Sequence, residues 1–221
     1  MSNLGFSKMS FDLLEALEVN NNKEWMEENR KAVKTHLQEP FAFLLDCLTR
    51  ELSDHDLPMI GSKKTMFRLN RDIRFSKDKR PYNHHVSGLL TPSGTKSETD
   101  AVLYLRLENG NSFMGAGYYG LSAKQLAPKR DKVLEQPDRF ASILADLKAN
   151  GLALSTESSL SNMPRGYTQY KDYKFAHYLK LKSFIVRKTI NKTDWYTSDL
   201  VKSVAEFKMS TASVVSFFRH V

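Results

Sequence analysis

The sequence lacks the motifs that assign a reaction class at sight. It contains a single cysteine, Cys47, in 221 residues, and one cysteine excludes a disulfide framework. Helical spacing places Cys47 beside apolar neighbours, which predicts a buried and unreactive thiol. A conventional nucleotide-binding loop, a zinc cluster and a nucleophile elbow are all absent from the sequence. The reaction class therefore has to be inferred from other features.

Long hydrophobic runs are also absent. No stretch reaches the length of a bilayer-spanning helix, and the amino-terminal MSNLGFSKMSFDLL lacks the basic start and continuous apolar run of a secretory signal. We expect a cytoplasmic protein without a membrane partner. No linker interrupts the chain, so one domain over residues 1–221 is expected.

Acidic residues are in deficit. The chain has 33 Lys and Arg against 25 Asp and Glu, which gives a net charge of +8 and a pI near 9.4. A hydrophobic content of 41% with 26% charged residues is typical of a globular protein. The positive excess favours an anionic partner, although its distribution along the chain matters more than the total.

The amino-terminal part of the sequence has helical periodicity. The apolar spacing of Ser10 to Asn20 predicts a helix, and the asparagines that follow predict a turn and an N-cap for a second helix. Pro40 either kinks a long second helix or lies in the first turn of a third one. We favour a new helix at Pro40, with an apolar side that begins at Phe41.

The central part changes to strand patterns, and helices return towards the carboxyl end. Asn109-Gly110 predicts a two-residue hairpin turn, and the glycines of GAGYYG predict a bulge or a close approach to the backbone. Strands are predicted at Thr65 to Leu69, Val86 to Leu90, Ala101 to Leu107, Ser112 to Tyr119 and Ser183 to Arg187. Helices are predicted from Ser122, with an interruption at Pro128, from Pro137, and from Asp199 to Phe218. The predicted class is α+β: a mostly antiparallel sheet of four to six strands, covered by amino-terminal and carboxy-terminal helices.

The densest concentration of positive charge is FRLNRDIRFSKDKRPYNHH, which we term the basic segment (residues 67–85). It contains six Lys or Arg residues and two acids, Asp72 and Asp78. Two like charges about 6 Å apart repel by roughly 3 kcal/mol at an effective dielectric of about 20. Converging arginines therefore require acidic neighbours or a bound anion, and guanidinium groups bind phosphate and carboxylate with paired hydrogen bonds.

Two interpretations of the basic segment stay open. In the first, a phosphate-bearing or carboxylate-bearing ligand lies among the cations, and Ser76 and Tyr82 add hydroxyl donors. In the second, Asp72 and Asp78 pair with neighbouring arginines and stiffen a long loop. His84 and His85 predict no metal site, because adjacent strand residues point to opposite faces of a sheet. His84 is a candidate acid or base, although a structural histidine is the more common case.

The basic segment resembles the signature of a family known as domain of unknown function 2461 (DUF2461). NNNKEWMEENR, GAGYYG, PRGY and HYLKLKSFIV resemble the same family, in the same order and over nearly the whole chain. The resemblance implies a full-length single domain and no assigned activity. It also adds candidate residues outside the basic segment: Trp25, Asn29, Arg30, Arg165, Tyr167, His177, Lys180 and Lys182.

These observations predict binding of a phosphate-bearing or carboxylate-bearing ligand, with or without catalysis. The candidate ligand-binding residues are Arg68, Arg71, Arg74, Lys77, Arg80, Arg165 and Lys182, and the candidate catalytic residues are His84 and His177. The alternatives are a nucleic-acid-binding module in which Tyr82, Tyr118 or Tyr119 stacks on bases, and an interaction protein with a salt-bridged basic loop. No cofactor, metal or oligomeric state is predicted.

Overall fold

The computed structural model of the protein describes residues 4–98 and 100–219. The chain divides into two compact units. The first consists of Met1–Glu98, Leu103–Met114 and Thr189–Glu206, and the second consists of Thr99–Val102, Gly115–Lys188 and Phe207–Val221. The predicted single domain over residues 1–221 includes residues outside the described ranges, and it stays a prediction.

Three asparagines join the first two helices, α1 (Lys8–Val19) and α2 (Lys23–Val33). Asn20 donates to the Ala16 carbonyl at the end of α1, and Asn22 accepts from the Trp25 amide at the start of α2. Asn21, between them, binds the backbone of Tyr82 through its side chain. The predicted turn and N-cap are confirmed.

Pro40 lies in the first turn of a third helix, as predicted. This helix is α3 (Glu39–Glu51), and a π-helical stretch, Lys34–Gln38, joins it directly to α2. Proline has no N–H, so residue 40 provides no α-helical donor for the His36 carbonyl. The hydroxyl of Ser10, a fully buried residue on α1, donates to that carbonyl at 2.8 Å. This tertiary hydrogen bond lets the helical path continue past the proline.

Within the described ranges, four strands form one antiparallel sheet in the order β1-β2-β3-β4. Their bounds are β1 His85–Leu90, β2 Val102–Glu108, β3 Phe113–Tyr118 and β4 Phe184–Thr189. In the first unit, β1 and β2 pair with His85 opposite Glu108 and Ser87 opposite Arg106. The α+β class is confirmed, with four strands at the lower end of the predicted range.

One face of the β1–β2 pair packs on α3. A Cβ at Gly88 would lie 3.0 Å from Leu45 and 3.1 Å from Phe41, so a larger residue there would force these side chains to shift by a few tenths of an ångström. Alternation along β2 places Leu103, Leu105 and Leu107, all fully buried, on one face, and Tyr104, Arg106 and Glu108 on the other. The first unit therefore has an apolar sheet face and a polar one.

The strand predicted at Thr65 to Leu69 is wrong as a regular strand. Ser62 and Thr65 form a capping box that winds Lys63–Thr65 into a 3₁₀ turn. An irregular extended segment follows, which contacts β1 through the bridge from Met66 to Gly88 and a hydrogen bond from the Phe67 amide to the Ser87 carbonyl at 2.9 Å. Local side-chain hydrogen bonds thus replace part of the ladder expected from alternation.

The turn predicted at Asn109-Gly110 is confirmed, with Gly110 at a φ of 73°. The connection between β2 and β3 runs over residues 109–112 and is longer than the predicted two-residue loop. The hydroxyl of Ser112 accepts from the Glu108 amide at 2.9 Å and donates to the Glu108 carbonyl at 2.7 Å. This side-chain bridge closes the longer turn at the base of the hairpin.

The second unit contains most of the later helices. Gly117 has a φ of 130°, and a Cβ there would lie 2.1 Å from the Phe184 carbonyl oxygen, so the predicted close backbone approach is confirmed. The predicted interruption at Pro128 is wrong because α4 continues through it. The predicted helix from Asp199 to Phe218 divides at Thr211. The helices are α4 Ala123–Glu135, α5 Pro137–Ala149, α6 Ala176–Leu179, α7 Asp199–Ser210, which ends in this unit, and α8 Ala212–Phe218.

Two further predictions concern Cys47 and the membrane. Cys47 is half-buried, less than predicted, and its sulfur accepts from the Arg50 guanidinium at 3.4 Å. Within residues 4–98 and 100–219, no helix combines the length and hydropathy needed to cross a bilayer.

Candidate functional site

The basic segment forms a loop with two short antiparallel arms. The Arg71 amide donates to the Pro81 carbonyl at 2.9 Å, and the Asn83 amide donates to the Leu69 carbonyl at 2.7 Å. Asn21 pairs with the outer edge of the returning arm: its Nδ2 donates to the Tyr82 carbonyl at 2.9 Å, and its Oδ1 accepts from the Tyr82 amide at 3.0 Å. The base of the loop is therefore fixed to the turn between α1 and α2.

Two carboxylates cross-link the loop from within. Asp78 accepts from Arg71 and from Arg80, each at 2.8 Å, and Arg71 also donates to the Arg80 carbonyl at 2.9 Å. Asp72 accepts two hydrogen bonds from Arg74, at 3.0 and 2.7 Å. The side-chain and backbone donors of Arg80 hold the pKa of Asp78 well below its usual range, and those of Arg74 lower the pKa of Asp72. Both acids are therefore ionised at neutral pH.

The loop keeps a positive excess after this pairing, because six basic residues meet two acids. Arg68 and Lys77 are exposed, and the Arg74 side chain is 76% exposed. Phe75 is 96% exposed, and the Arg74 guanidinium carbon lies 5.8 Å from its ring centroid. The sequence analysis did not single out Phe75, because apolar residues are normally buried. The loop tip, formed by Arg74, Phe75 and Lys77, thus presents an aromatic ring among cations.

The other predicted site residues belong to the second unit. Arg165, His177 and Lys182 are exposed there, and the Lys182 amide donates to the Ser158 carbonyl at 2.9 Å. Within the loop, Asp78 brings together Arg71 and Arg80, which are two of the predicted ligand-binding residues.

A second polar group lies on the polar sheet face of the first unit. Oε1 of Glu108 lies 2.7 Å from Nε2 of His84 and 2.7 Å from Nη2 of Arg106. The Glu108 side chain is 6% exposed, whereas those of His84 and Arg106 are 26% and 23% exposed. We term His84, His85, Arg106 and Glu108 the histidine–glutamate cluster. His84 is among the residues predicted from the sequence, whereas Arg106 and Glu108 are not, although charged residues alternating with leucines on β2 are a usable signal.

The histidine–glutamate cluster contains polar atoms that are buried without a partner. Among the described residues, buried side-chain atoms lack a hydrogen-bond partner at His85 Nδ1, Arg106 Nε, Glu108 Oε2 and Trp195 Nε1, and the first three belong to this cluster. Burial, followed by the charge of Arg106, lowers the pKa of His85 to about 4, so this ring is neutral at pH 7. No group of three or more His, Cys, Asp or Glu in the described ranges is placed to hold a metal ion.

The second unit contains buried basic residues that the sequence analysis also missed. Lys129 donates to the Phe218 carbonyl at 2.6 Å, and burial lowers its pKa. Arg130 donates to the carbonyls of Leu179 and Leu181 at 2.7 and 3.0 Å. Both cations thus satisfy backbone carbonyls at or just beyond the carboxyl ends of α8 and α6, which assigns them a structural role.

The tyrosines proposed to stack on nucleobases differ in exposure. Tyr82 and Tyr118 are 7% and 1% exposed, so burial removes both from that role, whereas Tyr119 is 71% exposed. Tyr167, in the PRGY motif, is buried and donates to Asp131 at 2.6 Å. Desolvation and this hydrogen bond raise the pKa of Tyr167. Tyr167 therefore has a structural contact.

Most of the chain matches the model of a protein family. The model of DUF2461, described as a conserved hypothetical protein, matches residues 9–217 of the 221-residue chain. No curated protein and no solved structure matches the chain.

Proposed function

Because this chain belongs to the DUF2461 family, whose description names no activity, we propose a function from its own geometry: the basic segment binds single-stranded nucleic acid. The observation that carries this proposal is the loop tip, where the exposed Phe75 ring lies among exposed cations. Nucleic acid combines the two chemistries that such a tip recognises, a chain of phosphates and flat aromatic bases.

The distribution of charge supports a polyanion over a small ligand. A small-ligand pocket requires several donors converging on one point. In the basic segment, Arg71 and Arg80 instead converge on Asp78, and Arg74 converges on Asp72. The remaining positive excess is spread over the exposed surface of the loop. A spread of exposed cations matches the repeating phosphates of an extended chain.

The internal cross-links of the loop support the same proposal. Arg71 binds Asp78 and the Arg80 carbonyl, and Lys79 donates to the Ile73 carbonyl at 3.1 Å. These contacts hold the loop in one shape before any ligand arrives. Less conformational entropy is then lost on binding, which raises affinity.

The test is fluorescence anisotropy of a labelled single-stranded oligonucleotide at several salt concentrations. Contact with about four phosphates gives a log-log salt slope near −3 for a single strand. Arg74→Gln with Lys77→Gln reduces the magnitude of this slope by more than about one unit. Phe75→Ala weakens binding by about 1–3 kcal/mol, roughly 5-fold to 150-fold, if the ring stacks on a base.

The matched control replaces Lys64 and Lys202 with glutamine. Both lysines are exposed and belong to the first unit, so the change in net charge is the same without touching the loop tip. The control leaves the salt slope nearly unchanged. An equal loss of salt slope in both double variants would show that only the total charge matters. If instead one equivalent of a nucleotide saturates the protein and binding depends weakly on salt, the basic segment is a small-ligand site and the proposal is wrong.

A further inference from the structure

The histidine–glutamate cluster has the order of contacts expected of a general base and its supporting carboxylate. A carboxylate only accepts hydrogen bonds, so Nε2 of His84 carries the hydrogen directed at Oε1 of Glu108. Nδ1 is then the acceptor nitrogen in the neutral ring. Glu108 is almost fully buried while His84 remains a quarter exposed. The carboxylate thus fixes the ring, and the ring reaches solvent.

Arg106 places a fixed positive charge beside the same carboxylate oxygen. Its Nη2 lies 2.7 Å from Oε1 of Glu108, and its side chain is 23% exposed. Register pairs Arg106 with Ser87, two residue pairs away from the pair formed by His85 and Glu108, so strand pairing positions the group. A guanidinium held in this way stabilises negative charge that develops on a reacting phosphate.

Unpartnered atoms distinguish this cluster from a structural ion pair. Within the described ranges, Oε2 of Glu108, Nε of Arg106 and Nδ1 of His85 are buried without hydrogen-bond partners. Leaving one such atom unpaired costs about 1–3 kcal/mol. Buried polar atoms are normally paired, so three unpaired atoms in adjacent side chains make this cluster a candidate functional site.

Aromatic rings continue the same sheet face. The Tyr104 and Phe113 ring centroids lie 5.5 Å apart, Phe67 lies 6.3 Å from Tyr104, and the Arg106 guanidinium carbon lies 5.9 Å from the Phe113 centroid. Phe67 is 42% exposed. Single-stranded RNA is commonly bound by aromatic side chains on an antiparallel sheet, where its bases stack. The returning arm of the basic segment leads directly into His84.

We infer that the histidine–glutamate cluster cleaves single-stranded RNA by attack of a ribose 2′-hydroxyl on the adjacent phosphodiester. This inference rests on the proposed binding of nucleic acid. His84 and Arg106 are the catalytic residues that contact the substrate, and Glu108 is a positioning residue that acts through both. RNA supplies its own nucleophile, so the reaction needs no co-reactant.

The step balances as an internal transfer. Nδ1 of His84 takes the proton of the 2′-hydroxyl, and the 2′-oxygen forms a bond to phosphorus. The bond from phosphorus to the 5′-oxygen breaks, and the departing oxygen takes a proton from water. His84 then releases its proton to solvent. The products are a 2′,3′-cyclic phosphate and a free 5′-hydroxyl, with Arg106 beside the phosphate oxygens throughout.

The test compares two labelled oligonucleotides of one sequence, an RNA and its fully 2′-O-methylated analogue. We expect the intact protein to bind both within about 3-fold, to cleave only the RNA, and to leave cyclic phosphate ends. Loss of general base catalysis in His84→Asn lowers the cleavage rate about 100-fold or more. In Glu108→Gln the rate at saturation falls while the affinity for the methylated analogue is retained.

His55→Asn is the matched control, since His55 is a half-buried histidine in the first unit outside the cluster. It keeps the wild-type rate. RNA that is bound but remains intact overturns this inference and leaves the proposed function standing, and cleavage that persists in His84→Asn also overturns it. Failure to bind either oligonucleotide overturns both proposals. The methylated analogue needs no variant, so the test does not depend on how well Glu108→Gln folds.

Discussion

Lowering the pH should destabilise the protein through His85. Burial, with Arg106 as the next cause, lowers the pKa of this ring to about 4 in the folded state, and an unfolded histidine titrates near 6.5. Between these two values the unfolded state binds the proton and the folded state does not. Stability contributed by the neutral ring is therefore complete above about pH 6.5 and is lost as the pH falls towards about 4.

The magnitude follows from the separation of the two pKa values. Each pKa unit corresponds to 1.36 kcal/mol, so the full separation gives an upper value of about 3 kcal/mol. His85 is half-buried, and residual solvent contact reduces the expected loss to about 1–3 kcal/mol. The pKa values of Asp72 and Asp78 are lowered below their usual 3.8, so the contributions of their pairs to stability are lost at lower pH. The pH range in which the contribution of His85 is lost therefore lies above the range in which those of the aspartate pairs are lost.

The measurement is the free energy of unfolding in urea at pH 7.0, 6.0, 5.0 and 4.5, for the wild type and for His85→Asn. The asparagine does not titrate, while His84, Arg106 and Glu108 around it remain in both proteins. We expect the stability difference between the two proteins to change by the stated amount across this range, with the wild type losing more. Parallel pH profiles would refute the reasoning.

Two further predictions concern the backbone contacts that shape each unit. Asn21→Ala removes both hydrogen bonds to Tyr82, so the free energy of unfolding should fall by about 1–3 kcal/mol. Limited proteolysis within the basic segment should also accelerate. An unchanged proteolysis rate would contradict the inference that Asn21 fixes the base of the loop. Gly117→Ala places a Cβ against the Phe184 carbonyl and should cost more than about 3 kcal/mol in urea unfolding. Gly120→Ala, also at positive φ but with no neighbour within 4 Å, should cost only about 1 kcal/mol, and similar losses at both positions would refute the close contact.

The sequence predicted the features that depend on neighbours along the chain. Asn22 caps α2 because its side chain needs only the Trp25 amide three residues on, and Gly110 forms a turn because positive φ suits glycine. The α+β class follows from the succession of such local patterns. The pairing of Asp72 and Asp78 with arginines of the basic segment was one of the two interpretations left open, because these acids lie only a few residues away.

Features that depend on distant residues could not be read in the same way. The continuous helical path from α2 into α3 could not be predicted, because the partner of the His36 carbonyl, Ser10, lies 26 residues earlier. Glu108 escaped notice because its contact with His84 depends on the register between two strands. The period of the hydrophobic pattern predicts which face of a strand a residue occupies, but it does not predict which residue of the neighbouring strand lies opposite.

The contact between Ser10 and the carbonyl ahead of Pro40 links the evolution of two positions 30 residues apart in the sequence. A proline can be accepted at position 40 while another part of the molecule offers a hydroxyl to the unpaired oxygen. An ordinary residue at position 40 regains an amide hydrogen and relaxes that demand, so serine at position 10 then becomes dispensable. Related chains should therefore tend to exchange the serine and the proline together, and a comparison of natural variants should show the two changes in pairs.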